Sequence, residues 1–214
     1  MNCLSLCWKE NSSKLFVQKF PMKCSVLIFA AAIFCIVQKI NSHDDECPII
    51  LSRFQWRAQE SNYVYYQTIP VDKVIIIWLD DFTCKGSFEC RRVVKSLQYE
   101  HIFKYKMPDI AFNFIIDDNG YVYEGTGWHR RGFHTTGHNR NSIGIAFIGR
   151  KSEDTVPSEE ALHVLVELLE CGIRQGKVSL EYKLYAQRQL CYQSNNPSDA
   201  FYSVIQELPH WTGD

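Results

Sequence analysis

The chain lacks several features that would each assign it to a class of protein. Its 214 residues carry a formal net charge of only −1, which argues against a nucleic-acid binder that works through bulk electrostatics. The 11 glycines and 7 prolines are too few for a fibrous or low-complexity chain. The apolar run at residues 25–37 is shorter than the roughly 20 residues that a membrane-spanning helix needs. No Gly-x-Ser-x-Gly sequence is present to form a nucleophile elbow.

The apolar run at residues 25–37 fits the hydrophobic core of a signal peptide, because Lys19 and Lys23 precede it and its length is typical of such a core. Three interpretations stay open. They are a signal peptide cleaved near Ser42, an uncleaved signal anchor whose basic residues stay in the cytoplasm, and a buried core helix. We expect residues 1–42 to be a targeting segment and residues 43–214 to be an extracellular domain, either secreted or anchored by a single span.

Residues 43–214 are mildly acidic. After removal of the first 42 residues, the chain carries 18 basic and 23 acidic side chains. Nucleic acid therefore becomes a still less expected partner.

Cysteine is the residue type that the sequence has in abundance, with nine copies. Such a count favours either a secreted protein with disulfide bonds or a protein with metal sites. Four of the nine lie in the predicted targeting segment and say nothing about the fold.

Hydrophobic patterns in residues 43–214 predict a single α/β domain with alternating strands and helices around a mostly buried sheet. The predicted strands cover residues 74–78, 111–116, 121–124, 142–148 and 180–184. The predicted helices cover residues 84–101, a segment that begins near residue 157, and residues 199–208. Asn119-Gly120 predicts a tight hairpin turn, since these residues accept the positive φ angles that such a turn needs.

Several segments between residues 46 and 212 carry a family resemblance through their order and spacing. They include DIAFNFIID at 109–117, DNGYVYEGTGW at 118–128, GFHTTGHN at 132–139, SIGIAFIG at 142–149 and LPHW at 208–211. Together they resemble the peptidoglycan recognition protein family, whose fold is shared with type 2 N-acetylmuramoyl-L-alanine amidases. The resemblance implies a central mixed β-sheet flanked by about three helices, with a groove for muramyl peptide on one face.

Catalytic members of that family hold a zinc ion with two histidines and one cysteine, and a tyrosine assists them. The resemblance places the three ligand positions on Ile77, Gln187 and, to within one residue, Asn196. It places the assisting tyrosine on Phe112. Isoleucine cannot coordinate zinc and amides are poor zinc ligands, so we expect no metal, no cofactor and no amidase activity.

Some groove-type residues of the family remain in this sequence. His134 occupies the place of the histidine in the family's Gly-Ala-His-Thr motif, while Trp128 and Asn139 match their family positions. We expect Trp78 and the neighbouring Leu79 to fill or narrow the groove. The candidate groove residues are Trp78, His101, Phe112, Thr126, Trp128, His134 and Asn139. An alternative interpretation is that Trp128 belongs to the core and that Asn139 satisfies a turn.

The resemblance also implies two disulfide bonds in the ectodomain. Cys84 and Cys90 match a short bridge beside the groove, and Cys47 and Cys171 match a bridge that joins the N-terminal segment to a long helix. Cys191 is left over, either as a buried thiol or as a cysteine that pairs with another chain.

Two other groups of polar residues resemble sites but have simpler interpretations. His134 and His138 are four residues apart, but nearby glycines predict a loop and not a chelating helix. Asp80-Asp81 follows the first long strand and is not part of a recognised catalytic motif, so we interpret it as a solvated loop.

These features together predict a non-catalytic peptidoglycan recognition protein of innate immunity. Its expected partners are bacterial peptidoglycan fragments or a paralogous immune receptor. The alternatives are a zinc amidase with an unrecognised site, and a purely protein-binding regulatory module with an occluded groove.

Overall fold

A computed structural model describes residues 47–79, 81–149, 156–191 and 194–213 of the chain. The predicted targeting segment and Asp80 lie outside these residues. Within the described residues, no helix has the length and apolar character needed to cross a membrane.

A six-stranded mixed sheet forms the centre of residues 47–213. The strands are β1 (Ile50–Leu51), β2 (Val71–Leu79), β3 (Phe114–Asp117), β4 (Val122–Glu124), β5 (Ser142–Ile148) and β6 (Val178–Ala186). Their order across the sheet is β1-β4-β3-β5-β2-β6. Only β3 and β4 pair antiparallel, and every other pairing in this sheet is parallel. The predicted α/β fold with a mixed sheet is confirmed.

The helices of the described residues lie on both faces of this sheet. They are α1 (Gly86–Tyr99), α2 (Glu159–Arg174), the one-turn α3 (Gln187–Leu190) and α4 (Asp199–Gln206). Residues from α2 and α4 form one core cluster with Val74, Ile76 and Trp78 of β2. Residues from α1 form the other cluster with Ile75 and Ile77. Successive strand residues point to opposite faces, which explains why β2 reads as one continuous apolar run.

Local signals in the sequence set several element boundaries. The hydroxyl of Ser158 accepts a hydrogen bond from the Ala161 N–H at 3.1 Å, which caps the start of α2. Gly120 has a φ of +77° in the turn between β3 and β4, as its place after Asn119 predicts. Helix α1 does not continue regularly to His101, because a π-helical turn, Glu100–Lys104, follows it. That turn places His101 on the sheet side.

Both predicted disulfide bonds are present. Cys47 bonds to Cys171 of α2 across a sequence separation of 124 residues, and Cys84 bonds to Cys90 across a separation of 6. Cys191 has a free, exposed thiol, so the prediction of a buried thiol is wrong. The reason is local, since Cys191 follows the single turn α3 at the surface.

Candidate functional site

A cavity of about 300 Å³ lies beside the end of β2, on the face of the sheet that α1 covers. Apolar and aromatic side chains make up most of its lining, with a few polar groups among them. The lining residues are Ile77, Trp78, Leu79, Asp81, Phe82, His101, Met107, Ala111, Phe112, Phe133, His134, Gln187 and Asn196. A mostly apolar wall with a small number of polar groups is typical of a ligand site.

The three residues at the predicted ligand positions lie around this one cavity. Ile76 of β2 pairs with Ala186 of β6. Ile77 and Gln187 each directly follow one of these paired residues, so they lie near each other towards the ends of neighbouring strands. Asn196 reaches the same place from the loop before α4, because its side chain binds the main chain of Trp78. The fold therefore brings together three residues that are up to 119 positions apart.

These three side chains do not fit a zinc ion. Ile77 has no donor atom. The Gln187 amide donates to the His134 carbonyl at 2.7 Å, and the Asn196 amide oxygen accepts the Trp78 N–H at 2.7 Å. Zinc sites use thiolate, imidazole or carboxylate ligands, whereas these amides are neutral and already hydrogen-bonded.

Potential metal ligands come together elsewhere in the described part of the chain, in a group formed by Cys84, Cys90 and Asp117. Both cysteines of that group are bonded to each other in the short disulfide. A disulfide has no thiolate to offer a metal.

His134 lies in the cavity wall with its imidazole almost fully buried, at 7% exposure. Its Nδ1 lies 3.1 Å from the Thr135 hydroxyl, and its Nε2 has no hydrogen-bond partner among the described residues. Burial lowers the pKa of His134 to about 3, and the charge of nearby His138 acts in the same direction. The ring is therefore neutral at pH 7. Its position needs a glycine at 144, where a Cβ would lie only 2.4 Å from the ring.

His101 faces the cavity from the π-helical turn. Its Nδ1 accepts the Ala111 N–H at 3.0 Å, so in the neutral ring the proton is on Nε2. Burial lowers the pKa of His101 to about 4, although the charge of Asp109 acts in the opposite direction. The ring packs edge-on against Phe112 at 5.5 Å. His101 thus offers one N–H donor, held in place by the main chain and an aromatic neighbour.

Residues 67–199 match the family model described as N-acetylmuramoyl-L-alanine amidase. The chain is 39% identical over 165 residues to peptidoglycan-recognition protein SA of Drosophila melanogaster, which covers 77% of this chain and 80% of that protein. The chain belongs to the peptidoglycan-recognition protein family.

Solved structures of this family have the same fold as the chain. The structure of Drosophila peptidoglycan-recognition protein SA superimposes with a TM-score of 0.76, covering 78% of this chain and 96% of that one. A human family member in complex with glycosamyl muramyl pentapeptide gives a TM-score of 0.73 at 32% identity, covering 78% and 99%. The ectodomain complex of the family members LCa and LCx with tracheal cytotoxin gives 0.74 at 33% identity, covering 78% and 100%.

The side chains of the two predicted groove tryptophans pack against core residues. Trp78 borders it, but its indole packs edge-on to Phe201 at 5.4 Å in the core on the other face. Trp78 thus contributes both to the cavity lining and to one core cluster, while Ile77 belongs to the other core cluster. Trp128 packs on Phe114 at 4.4 Å within that same core region.

Two further groove candidates make hydrogen bonds to the main chain of other residues. Thr126 is buried, and its N–H donates to the Phe112 carbonyl at 2.9 Å. Asn139 accepts the Thr135 N–H at 2.8 Å, which supports the loop that carries His134. The contacts of Trp128 and Asn139 agree with the alternative interpretation, in which Trp128 belongs to the core and Asn139 satisfies a turn. Of the candidates, Trp78, His101, Phe112 and His134 line the cavity.

Several lining residues have no predicted groove role, among them Phe82, Phe133 and Met107. Phe133 directly precedes His134 and replaces the alanine of the family's Gly-Ala-His-Thr motif. This substitution was the sequence signal that could have identified Phe133 as a groove residue. Leu79 also lies in the lining. Asp81 is exposed at the rim.

A second cavity, of about 90 Å³, lies between α2, β6 and the C-terminal residues. It is lined almost entirely by apolar side chains of the core, including Leu165, Leu169 and Leu184. Since it offers few polar groups to orient a ligand, the larger cavity is the candidate site.

Proposed function

We propose that this chain is a non-catalytic peptidoglycan-recognition protein, which binds a muropeptide in the cavity of about 300 Å³ and acts in innate immune recognition or its regulation. One observation carries the proposal. The three positions expected to hold zinc offer no usable ligand, while the same cavity keeps His101, His134 and Phe112 in its wall.

The chemistry of the cavity fits a muropeptide. Such a ligand combines amide groups with aliphatic and sugar C–H surfaces. The Nε2–H of His101 can donate to a ligand carbonyl, and His134 brings an imidazole nitrogen that no described residue satisfies. Phe112, Phe133 and Met107 supply the apolar surface. A polar group that is buried without a partner is costly, so a ligand that satisfies it gains affinity.

The same lining argues against amide hydrolysis. No serine, cysteine, lysine or tyrosine is among the lining residues, and the carboxylate there, Asp81, is exposed. With pKa values of about 4 and about 3, His101 and His134 are weak general bases at neutral pH. Phe112 has no hydroxyl to assist a reaction.

Titration calorimetry with N-acetylmuramyl tripeptide tests this proposal. We expect measurable binding, an intact muramoyl-alanine bond after prolonged incubation, and loss of binding in His134→Ala. His129→Ala is a matched control, because His129 is an exposed histidine in a neighbouring loop. Cleavage of the ligand by protein that carries tightly bound zinc would overturn the proposal.

A variant that introduces zinc-binding side chains at Ile77, Gln187 and Asn196 directly tests our assignment of these positions. The triple substitution I77H/Q187H/N196C places two imidazoles and a thiol around the cavity. We expect it to retain zinc after dialysis against a weak chelator, while wild-type protein retains none. Equal zinc content in the two proteins would contradict our assignment of these positions.

A second candidate function is regulation by contact with a paralogous receptor. The complex of the LCa and LCx ectodomains shows that two members of this family can associate around a peptidoglycan fragment. The two candidates are separable. If wild-type protein gives no heat with muropeptide but co-purifies with a family receptor, the regulatory module is supported.

The two disulfides support an extracellular location for residues 47–213, because such bonds persist in oxidising compartments. Secretion after cleavage near Ser42 and anchoring through residues 1–42 remain alternatives. N-terminal sequencing of protein from the culture medium of a eukaryotic host distinguishes them, since a cleaved chain begins near His43.

A further inference from the structure

A row of aromatic and basic side chains runs along the solvent-facing side of α1. Phe88, Arg92, Lys95 and Tyr99 recur at intervals of four, three and four residues, and each of them is exposed. Because an α-helix completes a turn every 3.6 residues, these four side chains share one face. The buried residues of the same helix pack in the core on the other side, so none of the four is needed to hold α1 on the sheet.

The row continues into the π-helical turn that follows α1. The ring of Phe103 lies 4.5 Å from that of Tyr99, measured between centroids. Phe88 is 76% exposed, Tyr99 62% and Phe103 44%. We call Phe88, Arg92, Lys95, Tyr99 and Phe103 the α1 stripe. Adjacent exposed aromatic rings, unlike a single exposed ring, indicate an interaction surface.

The charge around the α1 stripe is opposite to that of the rest of the domain. Residues 85–106 carry six basic and two acidic side chains, whereas the rest of residues 43–214 carries 12 basic and 21 acidic ones. In the described part of the chain, no carboxylate forms an ion pair with Arg92 or Lys95. Both cations are therefore open to an anion outside the protein.

The α1 stripe lies on the convex surface of a helix and not in a cleft. None of its five residues lines either of the two cavities described above. A protein partner usually buries a few anchor side chains in well-packed pockets. A lipid bilayer instead needs aromatic rings at headgroup depth and cations near its phosphates, and long basic side chains can reach these while the rings insert. The shape and charge of the stripe therefore favour an anionic lipid surface.

We propose that the α1 stripe binds the surface of an anionic lipid bilayer, with its three rings at the boundary between headgroups and acyl chains and its two cations on lipid phosphates. The acidic side chains elsewhere oppose binding through other faces, and salt screens their repulsion beyond about 8 Å. His101 of the cavity wall lies in the same turn as Phe103, so the stripe ends next to the candidate site. This inference goes beyond muropeptide recognition and does not depend on it.

Fluorescence quenching by brominated lipid tests where the domain contacts a bilayer. Phe88→Trp places an indole in the α1 stripe, and Phe54→Trp is a matched control because Phe54 is 91% exposed outside the stripe. With phosphatidylglycerol vesicles that carry bromine in the acyl chains, we expect Phe88→Trp to be quenched and blue-shifted well beyond wild type. Phe54→Trp should match wild type. Every variant carries the same residues 1–42, so any bilayer contact of that segment is common to all of them.

Neutral variants test the charges of the stripe. In the Phe88→Trp background, Arg92→Gln with Lys95→Gln should raise the lipid concentration for half-maximal quenching about 30-fold, since each basic residue near an anionic surface contributes about fivefold. Arg140→Gln with Arg174→Gln removes the same charge from exposed positions elsewhere and should leave that concentration near its starting value. Vesicles of phosphatidylcholine alone should give little quenching. Thermal unfolding of each variant checks that the fold is intact.

The other outcomes decide against the proposal. Absence of quenching in Phe88→Trp, or equal quenching in Phe54→Trp, overturns the assignment of the stripe to lipid. An equal loss in the two neutralised pairs also overturns it, because the attraction would then be a property of net charge. If Phe88→Trp ignores the vesicles but shifts its emission with a soluble polyglutamate peptide, the stripe is a surface for an acidic protein instead. Muropeptide recognition stands in each case, since the stripe lies outside the cavity lining.

Discussion

Folding stability should fall steeply on mild acidification, because two imidazoles are buried in the neutral form. The pKa of His101 is lowered from 6.5 to about 4 and that of His134 from 6.5 to about 3. Between the unfolded and folded pKa values, the unfolded chain binds a proton that the folded chain does not. Stability that is fully present above pH 6.5 is therefore lost as the pH falls, and the loss levels off only below the folded pKa values.

The size of this effect follows from the pKa shifts. Each histidine contributes a slope of about 1.4 kcal/mol per pH unit once the pH is well below 6.5. Between pH 7.5 and pH 5, each should lower the free energy of unfolding by about 2 kcal/mol, so the two together lower it by about 4 kcal/mol. That is a large part of the stability of an ordinary domain.

Urea unfolding followed by tryptophan fluorescence, at half-unit steps from pH 5 to pH 8, measures this dependence. Carboxylates also titrate at the acidic end of this range. The informative quantity is therefore the difference between wild type and His134→Gln in how the free energy of unfolding changes with pH. We expect the variant to lose about 2 kcal/mol less than wild type over this range, whatever its stability at pH 7.5. The control His129→Gln removes an exposed imidazole and should leave the wild-type dependence intact. If His134→Gln and wild type give parallel curves, the buried neutral imidazole is refuted.

Three further substitutions test other contacts of the structure. Replacing both Cys47 and Cys171 by serine should lower the free energy of unfolding by about 3–5 kcal/mol, since the bridge closes a loop of more than 100 residues; urea unfolding without reductant measures this, and a change below about 1 kcal/mol would contradict the loop-closure reasoning. Asn196→Ala should cost about 1–3 kcal/mol, because the Trp78 N–H and the Trp78 carbonyl near the end of β2 each lose a hydrogen bond; exchange of the Trp78 amide should rise, and unchanged exchange would show that the bonds contribute little. Gly144→Ala should cost about 1–3 kcal/mol and weaken muropeptide binding, because its methyl group would lie 2.4 Å from the ring of His134; a variant with wild-type affinity would show that the imidazole can move without loss.

Patterns that depend on neighbouring residues predicted much of this fold. The strand predicted at 142–148 has those bounds as β5, and the caps and turns at Ser158 and Asn119-Gly120 are where the sequence placed them. The π-helical turn after α1 has no such local signal, because it differs from an α-helix by a single inserted residue. The strand predicted from residue 111 begins only at 114, since Asn113 instead binds Gly127, Arg130 and Gly144.

The cavity was harder to predict than the fold, because its members are distant in sequence. A strand that is buried on both faces has no polar side, so the run at 74–78 could not show whether Ile77 or Trp78 faces the groove. The family resemblance identified the positions of Ile77, Gln187 and Asn196, but not that Asn196 binds the main chain of β2. Such contacts depend on side-chain geometry between residues that are 118 positions apart.

The bridge between Cys47 and Cys171 also determines how mechanical load enters the domain. Strand β1 is only two residues long and lies at the edge of the sheet, held by its pairing with β4. A pull on the residues ahead of Cys47 would peel such a strand away if it had to pass through β1. The disulfide directs the pull into the last turn of the core-packed helix α2, by a covalent route that bypasses the edge strand. A domain tethered at its N-terminal side can therefore bear tension without peeling β1 from the sheet.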